Sequence, residues 1–241
     1  MRDFDAALKA AERDMGGKGI GTIGEKTLHL ALKYYFAPDQ ETHERPVGGF
    51  IADAVTEDGV IEIQTRNLSR LRPKLDAFLP VCPVTVVHPL ADPKWVCSVD
   101  ENGEILFKRK SPKHESPLTA MREFYSLRDY YANPNFQICI CTVELTEFVV
   151  RTGGRKRLKL DRVPMTLRAE QYFRCGADFA ALLPPIHEPF TVPELTEALH
   201  APEMQVRMFV SILVRFGILA EAGKSGCMKL WARTDSDSIR G

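Results

Sequence analysis

The chain has 241 residues, of which 44% are hydrophobic and 27% are charged, and its 32 basic and 32 acidic residues give a net charge of zero. This composition is typical of a globular protein with one large or two modest domains, and it excludes an intrinsically disordered or collagen-like chain. No apolar run reaches the roughly eighteen residues of a membrane helix, and the first segment, MRDFDAALKAAERD, has no apolar signal-peptide core. We therefore expect a cytoplasmic protein without a membrane partner.

The six cysteines are scattered and include no Cys-x-x-Cys pair, and Cys139 and Cys141 lie in an apolar, strand-like run. Zinc sites and disulfide frameworks show regular cysteine spacings, which are missing here. We expect reduced thiols in the core.

The first element is a short amphipathic helix at Asp3 to Met15, which ends at Gly16-Gly17. The following motif, Gly19-x-Gly21-x-x-Gly24, has the spacing of a dinucleotide fingerprint. That fingerprint requires a buried strand immediately before the glycines, whereas a polar helix precedes them here. We predict a linker and no nucleotide cofactor.

A second, more apolar helix is predicted from about Gly21 to Phe36. Glu25 lies in its first turn, where the helix dipole favours a carboxylate. His29 follows one turn later, and we interpret it as a surface residue or as the partner of Glu25.

The stretch from Val47 to Gln64 has the pattern of a β-hairpin, with alternating apolar residues on both sides of a Glu57-Asp58-Gly59 turn. A strand from Glu44 to Gly49 precedes it. Since strand side chains alternate, Glu62 and Gln64 share one face, and pairing across the turn brings Asp53 beside Glu62.

Two carboxylates at this distance repel each other unless a cation or a proton lies between them. Their hard oxygen atoms suit Mg²⁺ or Mn²⁺. The alternative is an exposed hairpin face on which the two carboxylates meet Arg66 or Arg70.

The middle of the chain alternates further helices and strands. A helix capped by Thr65 or Asn67 is predicted to run through Leu71 and Leu75 to Phe78, and Pro73 is tolerated in its first turn if the helix starts nearer Arg72. The later predicted elements are a buried strand at 84–87, a hairpin of strands 94–99 and 104–110, a helix at 117–131 and a long strand at 136–150.

Residues 151–174 form a basic stretch with eight bases and two acids. The bases are Arg151, Arg155, Lys156, Arg157, Lys159, Arg162, Arg168 and Arg174. Such a local excess can contact phosphates on a neutral protein. A β-hairpin with an Arg-rich tip and a solvated loop without a partner are both compatible with the stretch.

Pro184-Pro185 indicates a joint between two domains. After it, Thr191 and Pro193 open one helix, a second helix runs from Pro202 to Phe216, and a hairpin follows. This order resembles a winged helix-turn-helix, a module that binds DNA through its second helix and wing or serves as a protein-docking module. Arg207 and Lys224 are its candidate DNA contacts.

The arrangement of Asp53 followed by Glu62-x-Gln64, between two helices, resembles the PD-(D/E)xK nuclease superfamily, which has the restriction-endonuclease-like fold. The segment from about Ile20 to Leu90 follows the α-β-β-β-α-β order of that fold. The resemblance implies an α/β protein with a mixed sheet. We expect a nuclease-like domain at residues 1–183, with its core at about 20–90 and an extension at 91–183, and a winged-helix domain at 186–235.

The resemblance also implies a function, the Mg²⁺-dependent hydrolysis of DNA, with Mn²⁺ as a second suitable ion and endonuclease activity favoured over exonuclease activity. Asp53, Glu62 and the backbone carbonyl of Ile63 would hold the cation, and Glu25 resembles an acid that some members add. Gln64 stands where the family has lysine. Because an amide does not accept a proton at neutral pH, it could only orient water or help bind the cation.

In several branches of the superfamily the lysine has moved to the next helix, and Lys74 occupies that helix here. Enzymes of this type often act as homodimers. The implied DNA contacts are Arg151, Arg155, Lys156, Arg157, Lys159, Arg207 and Lys224. The alternative is a catalytically silent DNA-binding or assembly protein that keeps the fold, and Gln64 is the feature that favours it.

Overall fold

A computed structural model describes residues 2–16, 26–100, 102–151 and 157–234, without the side chains of residues 26, 151 and 157. Within these ranges the chain forms seven α-helices and nine β-strands. The helices are α1 (Phe4–Asp14), α2 (Lys26–Phe36), α3 (Arg72–Phe78), α4 (Met121–Ser126), α5 (Gly176–Ala180), α6 (Val192–Leu199) and α7 (Glu203–Arg215). The strands are β1 (His43–Val47), β2 (Phe50–Thr56), β3 (Gly59–Ile63), β4 (Val84–Val99), β5 (Ile105–Lys110), β6 (Phe136–Arg151), β7 (Arg157–Phe173), β8 (Leu219–Ser225) and β9 (Met228–Arg233).

The first seven strands form one mixed sheet. Its order is β1-β2-β3-β4-β6-β7, and β5 pairs with β4. Strands β1 to β3 are antiparallel, β4 runs parallel to β3 and β6, and β5 and β7 run antiparallel to their neighbours. The protein is therefore of the α/β class with a mixed sheet, as predicted. Strands β8 and β9 form a separate two-stranded sheet.

The element order from α2 to β4 is α-β-β-β-α-β, which is the predicted order. Strand β4 differs from the prediction, because residues 84–87 and 94–99 belong to one strand of 16 residues. Both halves pair with β6, and a register shift between Ala91 and Lys94 accommodates the intervening residues. A bulge of this kind lets a strand continue through a local irregularity.

Two apolar clusters cover the two faces of the sheet. Helices α1 and α2 pack on one face, where Leu28 and Leu32 join Ile61 and Ile63 of β3. Helices α3 to α7 contribute to the other cluster, in which Phe78 is fully buried. Each such large side chain contributes roughly 1.5–3 kcal/mol by leaving water. The cores on both faces fix the position of β3 in the middle.

Local sequence signals explain where several helices begin. The side chain of Asp3 accepts hydrogen bonds from the backbone N–H groups at the start of α1. Thr191 and Glu194 form a reciprocal capping box at the start of α6. Pro73 lies in the first turn of α3, which begins at Arg72 and not at Thr65 or Asn67.

Gly59 ties the β2–β3 hairpin to β4. Its φ of +113° is a conformation that other residues rarely adopt, and an added Cβ atom would lie 2.3 Å from the carbonyl oxygen of Pro83. The next residue, Val60, donates its backbone N–H to that same oxygen over 2.9 Å. Only glycine permits this close approach.

The C-terminal helices pack against the rest of the protein. Nε2 of Gln205 lies 3.3 Å from the carbonyl oxygen of Thr119, and the ring of Phe216 lies 5.5 Å from that of Phe179. Phe209 of α7 belongs to the same apolar cluster as the sheet residues. The division into domains at 1–183 and 186–235 stays a prediction, and both parts contribute to one core.

Cys97, Cys139 and Cys141 are buried, as expected of core thiols, whereas Cys175 and Cys227 are exposed. None of the helices in the described ranges is both long and apolar enough to cross a membrane.

Candidate active site

The acidic side chains of Asp53 and Glu62 lie next to each other on neighbouring strands. The β2–β3 register pairs Ala54 with Ile61, so the next residues away from the turn are Asp53 and Glu62. The backbone N–H of Asp53 donates to Oε1 of Glu62 over 3.2 Å. The predicted proximity of the two acids is therefore present.

One carboxylate oxygen of Asp53 has two partners. Oδ2 accepts a hydrogen bond from the backbone N–H of Ile63 over 2.8 Å and lies 3.2 Å from Nε2 of His29. Burial by itself raises the pKa of Asp53. The His29 interaction opposes it most strongly, and with the Ile63 N–H and the Lys74 charge it brings the pKa below the ordinary value. Asp53 is therefore ionised at neutral pH.

Glu62 is only 1% exposed, and its partner is Lys74 of α3. The Lys74 Nζ atom lies 2.9 Å from both carboxylate oxygens. Burial and the negative charge of Asp53 raise the pKa of Glu62 to about 7, against the opposing effect of Lys74. This carboxyl thus exchanges a proton near neutral pH. Its burial contradicts the alternative of an exposed hairpin face whose acids meet Arg66 or Arg70.

Gln64 follows β3 directly, and its amide is bound by the next loop. Nε2 donates to the carbonyl oxygen of Arg66 over 2.8 Å. The backbone carbonyl oxygen of Gln64 lies 2.7 Å from Nδ1 of His88. Because a carbonyl oxygen can only accept, that nitrogen carries a proton. Burial, the main cause, lowers the pKa of His88, so a neutral ring holds the Gln64 backbone in place.

These groups line an open cleft of about 870 Å³ at the end of β3. Its charged lining residues are His29, Lys33, Glu44, Asp53, Glu62, Arg66, Arg70 and Lys74. Lys33 is largely buried and pairs with Glu44 over 3.1 Å. Phe50 forms an apolar part of the wall. Bases surround the two central acids, so the cleft can attract a cation and an anionic group side by side.

Asp53, Glu62, Gln64 and Lys74, four predicted catalytic residues, all line this cleft, as does Ile63, the predicted carbonyl ligand. Glu25 lies outside the described residues, as do the glycines of the dinucleotide-like motif. No group of three or more His, Cys, Asp or Glu side chains in the described ranges is arranged to hold a metal ion.

His29 and His88 are site residues that sequence reasoning missed. His29 was expected at the surface or beside Glu25, but its Nε2 lies against Asp53. This contact arises because α2 packs on the sheet beside β3. His88 lies in an apolar run of β4 and is 5% exposed. Neither contact has a signal in local spacing.

Residues 26–174 match the family described as "Domain of unknown function (DUF8091)". The chain belongs to this family. A protein of Treponema pallidum (strain Nichols), described as "Uncharacterized protein", is 31% identical over 221 residues, which cover 89% of this chain and 87% of the relative. No solved structure matches the chain.

The DUF8091 segment runs from α2 to β7 and contains every residue that lines the cleft. Helices α5 to α7 and strands β8 and β9 lie beyond it. The cleft is thus a feature of the DUF8091 domain itself, and the C-terminal helices are an addition to it.

Within the DUF8091 segment, the described part of the predicted basic stretch lies at the end of β6, in β7 and just after it. Three of its four described basic side chains are paired with acids, and the fourth, Arg174, donates to Oε1 of Gln137 over 2.8 Å. Lys159 lies 2.5 Å from Glu147, and Arg162 contacts the same carboxylate at 3.9 Å. Arg168 pairs with Glu144. Arg155 and Lys156 lie outside the described residues, as do the side chains of Arg151 and Arg157.

The two predicted contacts beyond the DUF8091 segment lie on the C-terminal module. Arg207 of α7 pairs with Glu203 one turn earlier, over 2.6 Å. Lys224 is exposed near the tip of the β8–β9 hairpin, opposite Lys229. Arg207 is therefore already paired with an acid, whereas Lys224 can offer its charge to a ligand.

Proposed function

We propose that this protein is a Mg²⁺-dependent deoxyribonuclease with a restriction-endonuclease-like core. The observation that carries this proposal is the convergence of Asp53, Glu62 and Lys74 in one open cleft at the end of β3. The α-β-β-β-α-β order of the surrounding elements supports it.

The donor set fits a hard divalent cation. Asp53 and Glu62 offer carboxylate oxygens, and the backbone carbonyl of Ile63 completes the set that the family resemblance implies. The Lys74 ammonium at 2.9 Å from both oxygens of Glu62 indicates that this position favours positive charge. A bound Mg²⁺ or Mn²⁺ ion would polarise the scissile phosphate and lower the pKa of a water molecule.

The protein's own groups would position the reactants. Lys74 supplies a positive charge next to the acids, so it suits the orientation of water and the stabilisation of negative charge at the phosphate. Gln64 can contribute only hydrogen bonds. His29 holds Asp53, and His88 holds the backbone at Gln64. We assign the role of the family's lysine to Lys74 rather than to Gln64.

The remainder of the molecule suits a DNA substrate. Arg66 and Arg70 line the cleft, where they can meet phosphates. The helices α6 and α7 followed by the β8–β9 hairpin have the order of a winged helix-turn-helix. We propose that this module helps to hold the duplex or joins two copies into a dimer that cuts both strands.

One observation favours the second candidate, a silent DNA-binding or assembly protein. The amide of Gln64 is bound to the backbone of Arg66, so the position of the family's lysine offers no free cationic group. Lys74, which is hydrogen-bonded to Glu62, is the residue that we propose as its replacement.

Cleavage of supercoiled plasmid and of labelled single- and double-stranded DNA tests the proposal, with Mg²⁺, Mn²⁺ or EDTA present. We expect metal-dependent nicking by the wild type and a loss of roughly 100-fold or more in Asp53→Asn and Glu62→Gln. Conversion of closed circles to nicked circles identifies an endonuclease.

The matched control is Glu57→Gln, which removes one exposed acid from the turn of the same hairpin, outside the cleft lining. It should cut like the wild type. Cleavage that survives both Asp53→Asn and Glu62→Gln would refute the assignment of the site. Absence of cutting with retained DNA binding would favour the silent protein.

A further inference from the structure

Strand β5 carries exposed positive charge that no acid in the described ranges neutralises through an ion pair. Lys108, Arg109 and Lys110 are exposed, and Lys113 follows shortly after the strand. Lys108 lies over the ring of Trp95 at 5.5 Å, which leaves its charge available. We call these four bases the β5 basic surface.

The β6–β7 hairpin differs from the β5 basic surface in its ion pairs. That hairpin has more bases in sequence, but Lys159 and Arg162 meet Glu147, and Arg168 meets Glu144. A base that is already paired with a carboxylate gains less from a phosphate, because the first pair must be given up. None of the four bases of the β5 basic surface forms an ion pair in the described ranges, and the charge of Lys110 acts on Glu144 without such a pair, so this cost is smaller there.

The sheet places β5 in line with the cleft. Strand β6 pairs along the whole of β4, so β3 and β5 both occupy the opposite edge of β4. Ile63, at the end of β3, pairs with Val87, and Lys110, at the end of β5, pairs with Trp95. Because β4 has a register shift between these positions, their partners on β6, Cys139 and Thr146, are seven residues apart, which corresponds to about 23 Å at roughly 3.3 Å per residue.

The segment after β5 connects the two places along this edge. The backbone N–H of Ser111 donates to the carbonyl oxygen of Lys94 over 2.7 Å, and Glu115 accepts from the N–H of Ala91 over 2.8 Å. Glu123 then accepts from the N–H of Leu68 over 2.7 Å. The segment thus ends at the loop that brings Arg66 and Arg70 to the cleft.

We propose that the β5 basic surface binds the phosphate backbone of a duplex whose scissile phosphate lies in the cleft. At about 3.4 Å per base pair, 23 Å corresponds to roughly seven base pairs from the cut. The bases lie on both faces of an edge strand, along the same edge of β4 as the strand that ends at the cleft, which favours an extended nucleic acid over an acidic peptide. The position relative to the cut rests on the proposed nuclease function, whereas the binding itself does not.

Binding of a fluorescent 30-base-pair duplex, measured by anisotropy in EDTA between 50 and 200 mM salt, tests the proposal apart from cleavage. The variant is Lys108→Thr with Lys110→Thr, which keeps residues suited to a strand. With each lost phosphate contact, the slope of log K against log salt becomes less negative by about 0.9. When the salt concentration rises fourfold, the affinity of the wild type should fall by a factor about 12 times larger than the factor by which the affinity of the double variant falls.

The matched control is Lys9→Gln with Arg13→Gln, which removes two exposed charges from α1 and should keep the wild-type slope. A charge-conserving Lys108→Arg, Lys110→Arg variant should also keep it. An unchanged slope in the Thr variant would overturn the inference and leave the nuclease proposal standing. A flatter salt dependence in the Arg variant as well would also overturn the inference, since a change in strand packing would then be the cause.

Wild type that binds a labelled poly-glutamate peptide but no duplex would overturn this inference in favour of an acidic protein partner. Metal-dependent cleavage would then separately decide whether the nuclease proposal also fails.

Discussion

The two acids of the cleft differ because their surroundings differ. Asp53 receives the Ile63 N–H and the His29 ring on one oxygen, and its pKa falls. Glu62 is buried beside that negative charge, and its pKa rises although Lys74 opposes the rise. At neutral pH the pair therefore has one fixed negative charge and one site that shares a proton.

This difference predicts how stability depends on pH without metal. The pKa of Glu62 rises from its ordinary 4.5 to about 7 on folding, so the folded state binds the proton more tightly than the unfolded state. The resulting stabilisation is full below about pH 4.5 and is lost as the pH rises through about 7. The total is about 3 kcal/mol.

Urea unfolding in EDTA at several pH values measures the effect. Between pH 4.5 and 8, the free energy of unfolding of wild type should fall by about 3 kcal/mol relative to Glu62→Gln, which does not titrate. Glu57→Gln should follow the wild type. Parallel curves for wild type and Glu62→Gln would show that Glu62 titrates normally in the folded state.

A second prediction separates the two candidates for the role of the family's lysine. Lys74→Met removes the only cation hydrogen-bonded to Glu62 in the described ranges and should lower single-turnover cleavage by roughly 100- to 1000-fold. Gln64→Ala removes an amide that is bound to the Arg66 backbone, so the loss should stay within about tenfold. Lys9→Met, at an exposed position of α1, is the charge control.

The reverse order of effects would assign the role to Gln64. Both variants should keep the wild-type affinity for duplex DNA in EDTA, which distinguishes a defect in chemistry from a defect in binding.

At this scale the sequence predicted the acid pair but only part of its surroundings. Strand alternation and a glycine-containing turn suffice to bring Asp53 and Glu62 together, because both are local properties of a hairpin. His29 reaches Asp53 from a helix that is distant in sequence, and His88 reaches the Gln64 carbonyl from β4. Such contacts depend on how the layers pack, which residue spacing does not encode.

Among the elements, the β2–β3 hairpin depends on Gly59. Gly59→Ala should lower stability by more than Gly223→Ala, by roughly 1–3 kcal/mol. Both glycines have positive φ, +113° and +136°, but only at Gly59 does an added Cβ atom meet a backbone oxygen, that of Pro83. The additional loss of stability in Gly59→Ala therefore measures the effect of the close approach between Gly59 and the residue that precedes β4.

Thermal and urea unfolding of the two variants supply the comparison. Since the hairpin carries both acids, Gly59→Ala should also reduce cleavage at temperatures where it remains folded. Equal losses in the two variants would mean that the hairpin shifts away from Pro83 at no cost.

The long strands show why charge runs are difficult to interpret from sequence. The bases of β7 meet Glu144 and Glu147 of β6 across the hairpin, a pairing that depends on a register with three irregularities. The shorter run in β5 lies at a sheet edge, where its bases form no ion pair in the described ranges, although Lys110 lies within electrostatic range of Glu144. Counting bases along the chain therefore does not show which of them are paired with acids.

At the scale of the whole molecule, the C-terminal helices share a core with the sheet. Phe209 of α7 is fully buried in the cluster that contains Phe124 and Phe173. Sequence composition predicted the helices and their caps, because Thr191 and Pro193 are local signals. It could not show that α7 packs on α4, since that contact joins residues more than eighty positions apart.

The shared core predicts one cooperative unfolding transition, which the two tryptophans can report separately. Trp231→Phe leaves Trp95 in β4 as a reporter of the sheet, and Trp95→Phe leaves Trp231 in β9 as a reporter of the C-terminal module. Adding Phe209→Ala, which should cost roughly 3–5 kcal/mol, should lower the urea midpoint of both reporters equally. If the module is an independent domain, only the Trp231 midpoint should move. In that case, the contacts of Gln205 and Phe216 with the sheet domain would contribute little to stability, and the winged-helix-like module could dock and undock without unfolding the cleft.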